Sequence, residues 1–332
     1  MNRVTHQPFA SFVALALLIV APFVVPASSR AASRPIREPD ALVILSTTDV
    51  RGRTDPCGCH VPKGGLARRV SFADSIRATY GQVVLVDDGG FFPDGTVPKA
   101  TSWFLMDAMT LMGTDAVGTS ERELSLGLGY LRSQLRRTRL PMVCANLHER
   151  ATGKLVLPAY VLKTVGTVKV GIFGLMSPTP DLGPSRDSLQ VEEPQAAAVR
   201  TVAELRRKGA TVVVLLSQLG RMESEDLVAT VDGVDAVIIG HGVPLLQKGR
   251  TIKHTVACYG GEQGHYIGRT LLRLDAQRRV TSGENEAFML GPEVPDHKEM
   301  ARLVRHFTEV TNAAEAKIAP ATAAPDSQPH SE

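Results

Sequence analysis

The order of apolar segments along the chain limits its fold more than any other feature of the sequence. Short runs of Val, Ile and Leu alternate with longer segments in which apolar residues recur at helical spacing. The runs that predict buried strands are Ala41 to Ser46, Val83 to Val86, Asp115 to Val117, Thr211 to Ser217 and Ala236 to Ile239. Strands that alternate with helices predict an α/β fold. A hairpin at Gly166-Thr167 adds antiparallel strands, so the predicted sheets are mixed.

The N-terminal segment differs in character from the rest of the chain. Arg3 and His6 precede an apolar run at residues 12–25, and small residues follow it. This pattern predicts a secretory signal peptide over residues 1–33. A membrane anchor is the alternative, but the run is short and two prolines interrupt it. We therefore expect a cleaved, periplasmic or secreted protein with no stable membrane span.

The remaining sequence shows no linker that would divide it into two domains. We predict one domain at residues 41–293, a C-terminal helix at 294–318 and a disordered tail, rich in Ala and Pro, at 319–332. The formal net charge of +3 is small and dispersed. It therefore does not indicate nucleic acid as a partner.

Polar clusters follow the predicted strands, where ligands gather in α/β folds. The clusters are Asp49-Val50-Arg51, Asp87-Asp88-Gly89-Gly90, Gly118-Thr119-Ser120-Glu121, Ser217-Gln218 and Gly240-His241-Gly242-Val243. Their positions predict one shared cleft, to which residues far apart in the chain contribute.

The order and spacing of these clusters resemble the calcineurin-like metallophosphoesterases, specifically their 5′-nucleotidase and UDP-sugar hydrolase branch. The resemblance covers about Leu42 to Asp275. It implies a four-layer α-β-β-α sandwich of two mixed sheets with helices outside. It also implies a divalent metal cofactor (Mn, Zn or Fe) and a small phosphorylated or other anionic molecule as the ligand.

The metal-ligand motifs of that family are largely degenerate in this chain. The family pattern is Asp-x-His, Gly-Asp, Gly-Asn-His-Glu (or Asp), Ser-His and Gly-His-x-His. Asp49, Glu121 and His241 keep the family residue. The replaced positions hold Arg51, Gly90, Thr119, Ser120, Gln218 and Val243. Asp88 lies two residues before the position of the lost bridging aspartate, about 6.5 Å away along a strand.

The resemblance assigns roles to the remaining polar residues. Asp49 and His241 are predicted to hold a metal, and Glu121 is predicted to assist by ligation or acid–base chemistry, so the three are the candidate catalytic residues. Asp88 and Glu121 complete the candidate metal ligands at the strand ends. Arg51 repels a divalent cation and is instead a candidate anion ligand through its guanidinium group. Asn146 is a second anion-binding candidate, although its side chain is expected to brace the loop rather than to contact a substrate.

The loop Pro56-Cys57-Gly58-Cys59-His60 is the most unusual stretch of the sequence. Two thiols and an imidazole suit a soft metal such as Zn or Cu(I), so Cys57, Cys59 and His60 are further candidate metal ligands. Disulfides that link this loop to Cys144 and Cys258 are the alternative, and the sequence does not choose among the pairings.

The same loop resembles an exported Pro-Cys-Gly-Cys subgroup of 5′-nucleotidase-like proteins. This resemblance implies that the whole subgroup lacks the family's metal-binding histidines. Its site would then use a different set of residues. That set is Asp49, Cys57, Cys59, Glu121, Glu123 and His241.

Three functions remain open from the sequence. The leading one is an exported 5′-nucleotidase-like metallophosphoesterase homologue that hydrolyses a phosphate ester. The alternatives are a catalytically inactive anion-binding protein centred on Arg51 and His241, and a thiol- or metal-handling protein that uses the cysteine loop.

Overall fold

The alternating apolar runs form strands and helices close to the predicted positions. A computed structural model describes residues 40–93 and 99–318, with side chains up to 313. The strands are β1 (Ala41–Thr47), β2 (Val83–Asp87), β3 (Ala116–Val117), β4 (Leu147–Glu149), β5 (Tyr160–Val165), β6 (Val168–Met176), β7 (Leu189–Val191), β8 (Val212–Gln218), β9 (Ala236–Ile239), β10 (Leu246–Ile252), β11 (Thr255–Tyr259), β12 (Tyr266–Leu274) and β13 (Val280–Met289). The helices are α1 (Leu66–Thr79), α2 (Lys99–Leu111), α3 (Leu128–Thr138), α4 (Pro194–Arg207), α5 (Arg221–Thr230) and α6 (Lys298–Ile318).

Local sequence explains where one of these helices begins. Pro194 occupies the first turn of α4, where its missing N–H would have no partner within the helix. The side chain of Glu193 accepts a hydrogen bond from the Ala196 N–H and so caps the same end. The helix therefore starts at the position that its sequence specifies.

Eleven strands are hydrogen-bonded in the order β3-β2-β1-β12-β13-β10-β11-β9-β8-β6-β5. Parallel strand pairs occur towards both ends of this strand order. Near one end β1 pairs with β2, and near the other β8 pairs with both β6 and β9. A single residue pair, Lys248 with Glu286, connects β10 to β13. Because only this pair joins β10 to β13, the sheet divides at this point into two halves, each with parallel and antiparallel strands. A separate small sheet pairs β4 with β7.

Side-chain alternation within the strands shows that the two halves lie face to face. On β1, Leu42 and Ile44 belong to a buried core that also contains Val212 and Val214 of β8. The intervening residues of both strands belong to two further cores, which include residues of the helices. Because neighbouring residues of a strand point to opposite faces, two sheet layers are enclosed by two helical layers. The predicted four-layer α-β-β-α sandwich is confirmed.

Two predicted segments, the signal peptide at 1–33 and the tail at 319–332, lie outside the described residues. Within the described ranges, none of the helices combines the length and the apolar character that a bilayer crossing requires.

Candidate active site

The loops that follow the strands of both sheet halves meet at one edge of the sandwich. The Asp49 N–H donates to the Gly89 carbonyl at 3.0 Å, which joins the loops after β1 and β2. On the other half, the Gly240 N–H donates to the Ser217 carbonyl at 3.0 Å. The Gly242 N–H donates to Asp49 Oδ2 at 3.0 Å. This last bond connects the two halves, so the strand-end residues share one cleft.

Asp49 lies at the centre of this cleft and is buried, with a positive φ of 46°. Burial raises the pKa of Asp49, while the hydrogen bond from Gly242 and the charges of Arg51 and His241 act in the opposite direction. The carboxylate is therefore held in place and is more basic than an exposed aspartate.

Gly90 stands where the resemblance implies a bridging aspartate. It has a φ of 70°, and a Cβ built there would clash with Asp49 Oδ1. The side chain of Asp49 thus takes up the space that a side chain at position 90 would need.

Glu123 holds the loop that contains Gly90. Its Oε1 accepts the N–H groups of Phe91 and Phe92 at 2.8 and 3.1 Å. Its Oε2 accepts the Gly90 N–H at 3.2 Å, and the Ser120 N–H and hydroxyl at 2.9 Å each. Burial raises the pKa of this fully buried carboxyl, and these donors partly offset that effect. Glu123 therefore fixes the backbone of the two loops that contain Gly90 and Ser120.

Asp88 faces the floor of the cleft and is fully buried. Gln218 Nε2 donates to its Oδ2 at 3.1 Å, whereas its Oδ1 has no partner among the described residues. Burial and the neighbouring carboxylates of Asp49 and Asp87 raise the pKa of Asp88 well above its usual value. Gly240 gives these groups room, because a Cβ there would come within 2.5 Å of Gln218 Nε2 and 3.3 Å of Asp49 Oδ2.

The rim of the cleft carries Glu121, His241 and Arg51. His241 Nδ1 is 3.6 Å from Glu121 Oε1, and the side chains are 40% and 26% exposed. Arg51 pairs with Glu262 at 3.0 Å. Its Nη2 lies 3.6 Å from a Cβ built on Gly242, which places the guanidinium group beside the same loop as His241.

The arrangement of these side chains does not fit the two-metal centre implied by the resemblance. Among the described residues, no three His, Cys, Asp or Glu side chains lie close enough together to hold a metal ion. Asp49 fills the space beside Gly90, and the permanent cation of Arg51 stands where the resemblance implies a ligand. Asp49, Asp88, Glu121 and His241 share the cleft but do not form a ligand set.

The side chain of Asn146 braces its loop through hydrogen bonds to the backbone. Its Oδ1 accepts the Met176 N–H at 3.0 Å, and its Nδ2 donates to the Met176 and Glu192 carbonyls at 2.9 and 3.3 Å. Both amide hydrogens are thus engaged with the backbone. This geometry does not support Asn146 as an anion ligand.

The cysteine loop forms its own disulfide. Cys57 bonds to Cys59 across a Cα–Cα distance of 5.3 Å, and His60 is exposed next to them. Cys144 and Cys258 are free thiols buried in the core, so the alternative that paired them with the loop is wrong. In this oxidised state the loop sulfurs are bonded to each other and are not free thiolate ligands.

Sequence reasoning missed two partnerships in the cleft. Gln218 was identified only as the replacement of a histidine, yet its amide holds Asp88. Arg69 and Asp87 form a buried ion pair at 3.7 Å below the site. Burial raises the pKa of Asp87 to about 6 despite this guanidinium. The available signal was the helical spacing of Arg69 from the apolar residues Leu66 and Ala73.

The chain is similar in sequence to several 5′-nucleotidases, although no family model matches it. The snake venom 5′-nucleotidase of Gloydius brevicauda is 28% identical over 228 residues, which cover 63% of this chain and 38% of that protein. The 5′-nucleotidase of Vibrio cholerae is 23% identical over 328 residues, which cover 81% of this chain and 58% of that protein.

Solved structures give the same result for the fold. The 5′-nucleotidase precursor from Thermus thermophilus has a TM-score of 0.73 at 23% identity, covering 82% of this chain and 59% of that chain. The calcineurin-like phosphoesterase YfkN from Bacillus subtilis has a TM-score of 0.70 at 20% identity, covering 82% of this chain and 98% of that chain.

These findings show that the chain has the fold of the calcineurin-like phosphoesterases and 5′-nucleotidases. The sequence relatives include 5′-nucleotidases and UshA-like proteins, so the chain is similar to members of that branch. The matched part spans 38% and 44% of the length of two of the venom enzymes.

Proposed function

We propose that this chain is an exported phosphate-ester hydrolase of the 5′-nucleotidase type, and that its substrate is a small phosphorylated molecule. The observation that carries the proposal is the hydrogen bond from the Gly242 N–H to Asp49 Oδ2. It joins the loops of the two sheet halves and brings Asp49, Arg51 and His241 into one cleft. The relatives support a phosphate ester as the substrate class. Export rests on the predicted signal peptide.

The side chains in the cleft suit separate parts of this reaction. The guanidinium of Arg51 binds the phosphate oxygens. The ion pair between Arg51 and Glu262 must break before the phosphate can bind. The carboxylate of Asp49, made more basic by burial, is the candidate base for an attacking water molecule. His241 is the candidate acid for the leaving oxygen, and Glu121 orients its imidazole from 3.6 Å.

A second function is favoured by a different observation. Arg51 supplies a cation at a position where the family has a metal ligand, and the described side chains do not gather into a metal-binding group. This combination suits a protein that binds a phosphate or another anion without turning it over. Arg51 and His241 would carry the recognition.

Hydrolysis of p-nitrophenyl phosphate and of bis(p-nitrophenyl) phosphate separates the two functions. Turnover by the wild-type chain that is lost in Asp49→Asn, but kept in the exposed control Asp226→Asn, supports the hydrolase. No turnover, together with a melting temperature that inorganic phosphate raises in the wild type but not in Arg51→Ala, supports the binding protein. If neither effect is seen, both proposals fail.

A further inference from the structure

The disulfide between Cys57 and Cys59 is accessible from solvent. Cys59 is exposed and Cys57 is partly exposed, whereas the other two cysteines are buried. A Cβ built on the intervening Gly58 would meet no heavy atom within 4 Å. An incoming molecule therefore has open space beside the bond.

This disulfide is not needed to hold its loop. The Cys57 N–H donates to the Lys63 carbonyl at 2.8 Å, and the Leu66 N–H donates to the Thr54 carbonyl at 2.9 Å. The Gly64 N–H donates to the Leu290 carbonyl at 2.9 Å, which ties the loop to the end of β13. The cross-link also encloses only one intervening residue, so in the chain-entropy description it restricts the unfolded chain less than any longer link.

The two sulfurs have different surroundings. The Lys63 N–H donates to Cys57 Sγ at 3.4 Å. A hydrogen bond of this kind stabilises a thiolate and makes Cys57 the better leaving group. Cys59 is the more exposed sulfur and is therefore the one that an external thiolate reaches.

We infer that Cys57–Cys59 is a redox-active disulfide that exchanges with a small external thiol. A thiolate attacks Cys59 Sγ, the Cys57–Cys59 bond breaks, and Cys57 leaves as a thiolate. A second thiolate attacks the external sulfur of the mixed disulfide, so that a disulfide of the two thiols departs and Cys59 is released. Two thiols are oxidised, and Cys57 and Cys59 together gain two electrons and the two protons.

This activity goes beyond the proposed hydrolysis and does not depend on it. Thiol exchange needs none of Asp49, Arg51 or His241. A failure of either activity therefore leaves the other to be judged separately.

The test uses glutathione as the thiol and the folded wild-type chain. The protein is equilibrated at several ratios of reduced to oxidised glutathione, alkylated under native conditions with excess N-ethylmaleimide and mapped by mass spectrometry. We expect the alkylated fraction of Cys57 and Cys59 in the folded protein to follow the glutathione ratio in both directions, with the buried Cys144 and Cys258 unlabelled until denaturant is added. Reduction should lower the melting temperature by less than about 5 °C.

Single-cysteine variants test the assigned roles of the two sulfurs. In Cys57→Ser, Cys59 should form a mixed disulfide with oxidised glutathione. In Cys59→Ser, Cys57 should do so about tenfold more slowly, because it is less exposed. Equal rates would overturn the assigned roles.

Three results would overturn the redox role itself. One is alkylation of the loop only after unfolding, and another is a fall in melting temperature of about 5 °C or more on reduction, which would mark a structural cross-link. The third is the presence of four free thiols in protein purified without reductant.

Discussion

Gln218 Nε2 donates a hydrogen bond of 3.1 Å to Asp88 Oδ2, although 130 positions separate the two residues in the chain. Gln218 ends β8 and Asp88 follows β2, so the bond crosses between the two sheet halves. It satisfies one oxygen of a fully buried carboxyl that also faces the charge of Asp49. The floor of the cleft is therefore a hydrogen-bonded polar network in the place where the resemblance implies metal ligands.

The buried Asp88 should reduce stability at neutral pH. Because its pKa is raised in the folded state, the folded chain binds a proton that the unfolded chain releases, and stability falls as the pH rises through that interval. Asp88→Asn keeps the shape and cannot ionise in either state, so we expect it to increase the free energy of unfolding near pH 7 by about 1–2 kcal/mol. Urea denaturation checks this. A decrease, or an equal gain in the exposed control Asp226→Asn, would contradict it.

Asp87 should add to the same pH dependence. Burial raises its pKa to about 6, so its contribution to stability is lost between about pH 4 and pH 6 as the pH rises. A titration of stability in Asp88→Asn should therefore still slope downward over that range. The slope should be smaller when Asp87→Asn is added, and an equal slope would show that Asp87 does not titrate over this range.

Glu123 and Glu121 should behave oppositely, although only one residue separates them. Glu123→Gln places an amide nitrogen where the carboxylate accepts several N–H donors, and should cost about 2–4 kcal/mol of stability. Glu121 lies at the rim of the cleft, so Glu121→Gln should change the free energy of unfolding by less than about 0.5 kcal/mol. The same substitution should lower turnover. Urea denaturation and p-nitrophenyl phosphate hydrolysis measure the two effects. Equal losses of stability would contradict the assignment.

Gly90→Ala should be destabilising for two separable reasons. The position has a φ of 70°, and its new Cβ would clash with Asp49 Oδ1. Gly153→Ala is a matched control, because its φ is 66° but a Cβ there meets no atom within 4 Å. We expect a loss of about 1 kcal/mol in the control and about 2–3 kcal/mol at position 90. Similar losses in thermal unfolding would show that Asp49 moves aside freely.

Arg51 and Glu262 should have opposite effects on phosphate binding. Arg51→Ala removes the guanidinium, and we expect the Kd for inorganic phosphate to rise about tenfold or more. Glu262→Gln removes the carboxylate that now pairs with Arg51 at 3.0 Å, and the Kd should fall by about two- to fivefold. Isothermal titration calorimetry measures both, with the exposed Arg53→Ala as a control. Weaker binding in Glu262→Gln would mean that the ion pair positions Arg51.

The apolar runs alone were sufficient to predict the layered α/β fold and the edge at which the cleft forms. Side chains of β1, β2, β8 and β9 are buried on both faces, so these strands appear in the sequence as near-continuous hydrophobic segments, and the polar residues after them must lie at strand ends. In contrast, β10 and β13 contain many polar residues and gave no such signal. Their pairing, which joins the two halves of the sheet, is visible only in the assembled structure.

The partners of the polar residues depended on the tertiary structure in the same way. A local pattern records which residues follow a strand, but not which loop from the opposite half comes within about 3 Å, the length of a hydrogen bond. The bonds from Gly242 to Asp49 and from Gln218 to Asp88 arise from that approach. The cysteine pairing likewise could not be predicted from the sequence. Cys144 and Cys258 are buried in the core, so they do not bond to the cysteines of the loop. Hydrogen bonds and disulfides need specific distances, and only the packed sheets set those distances.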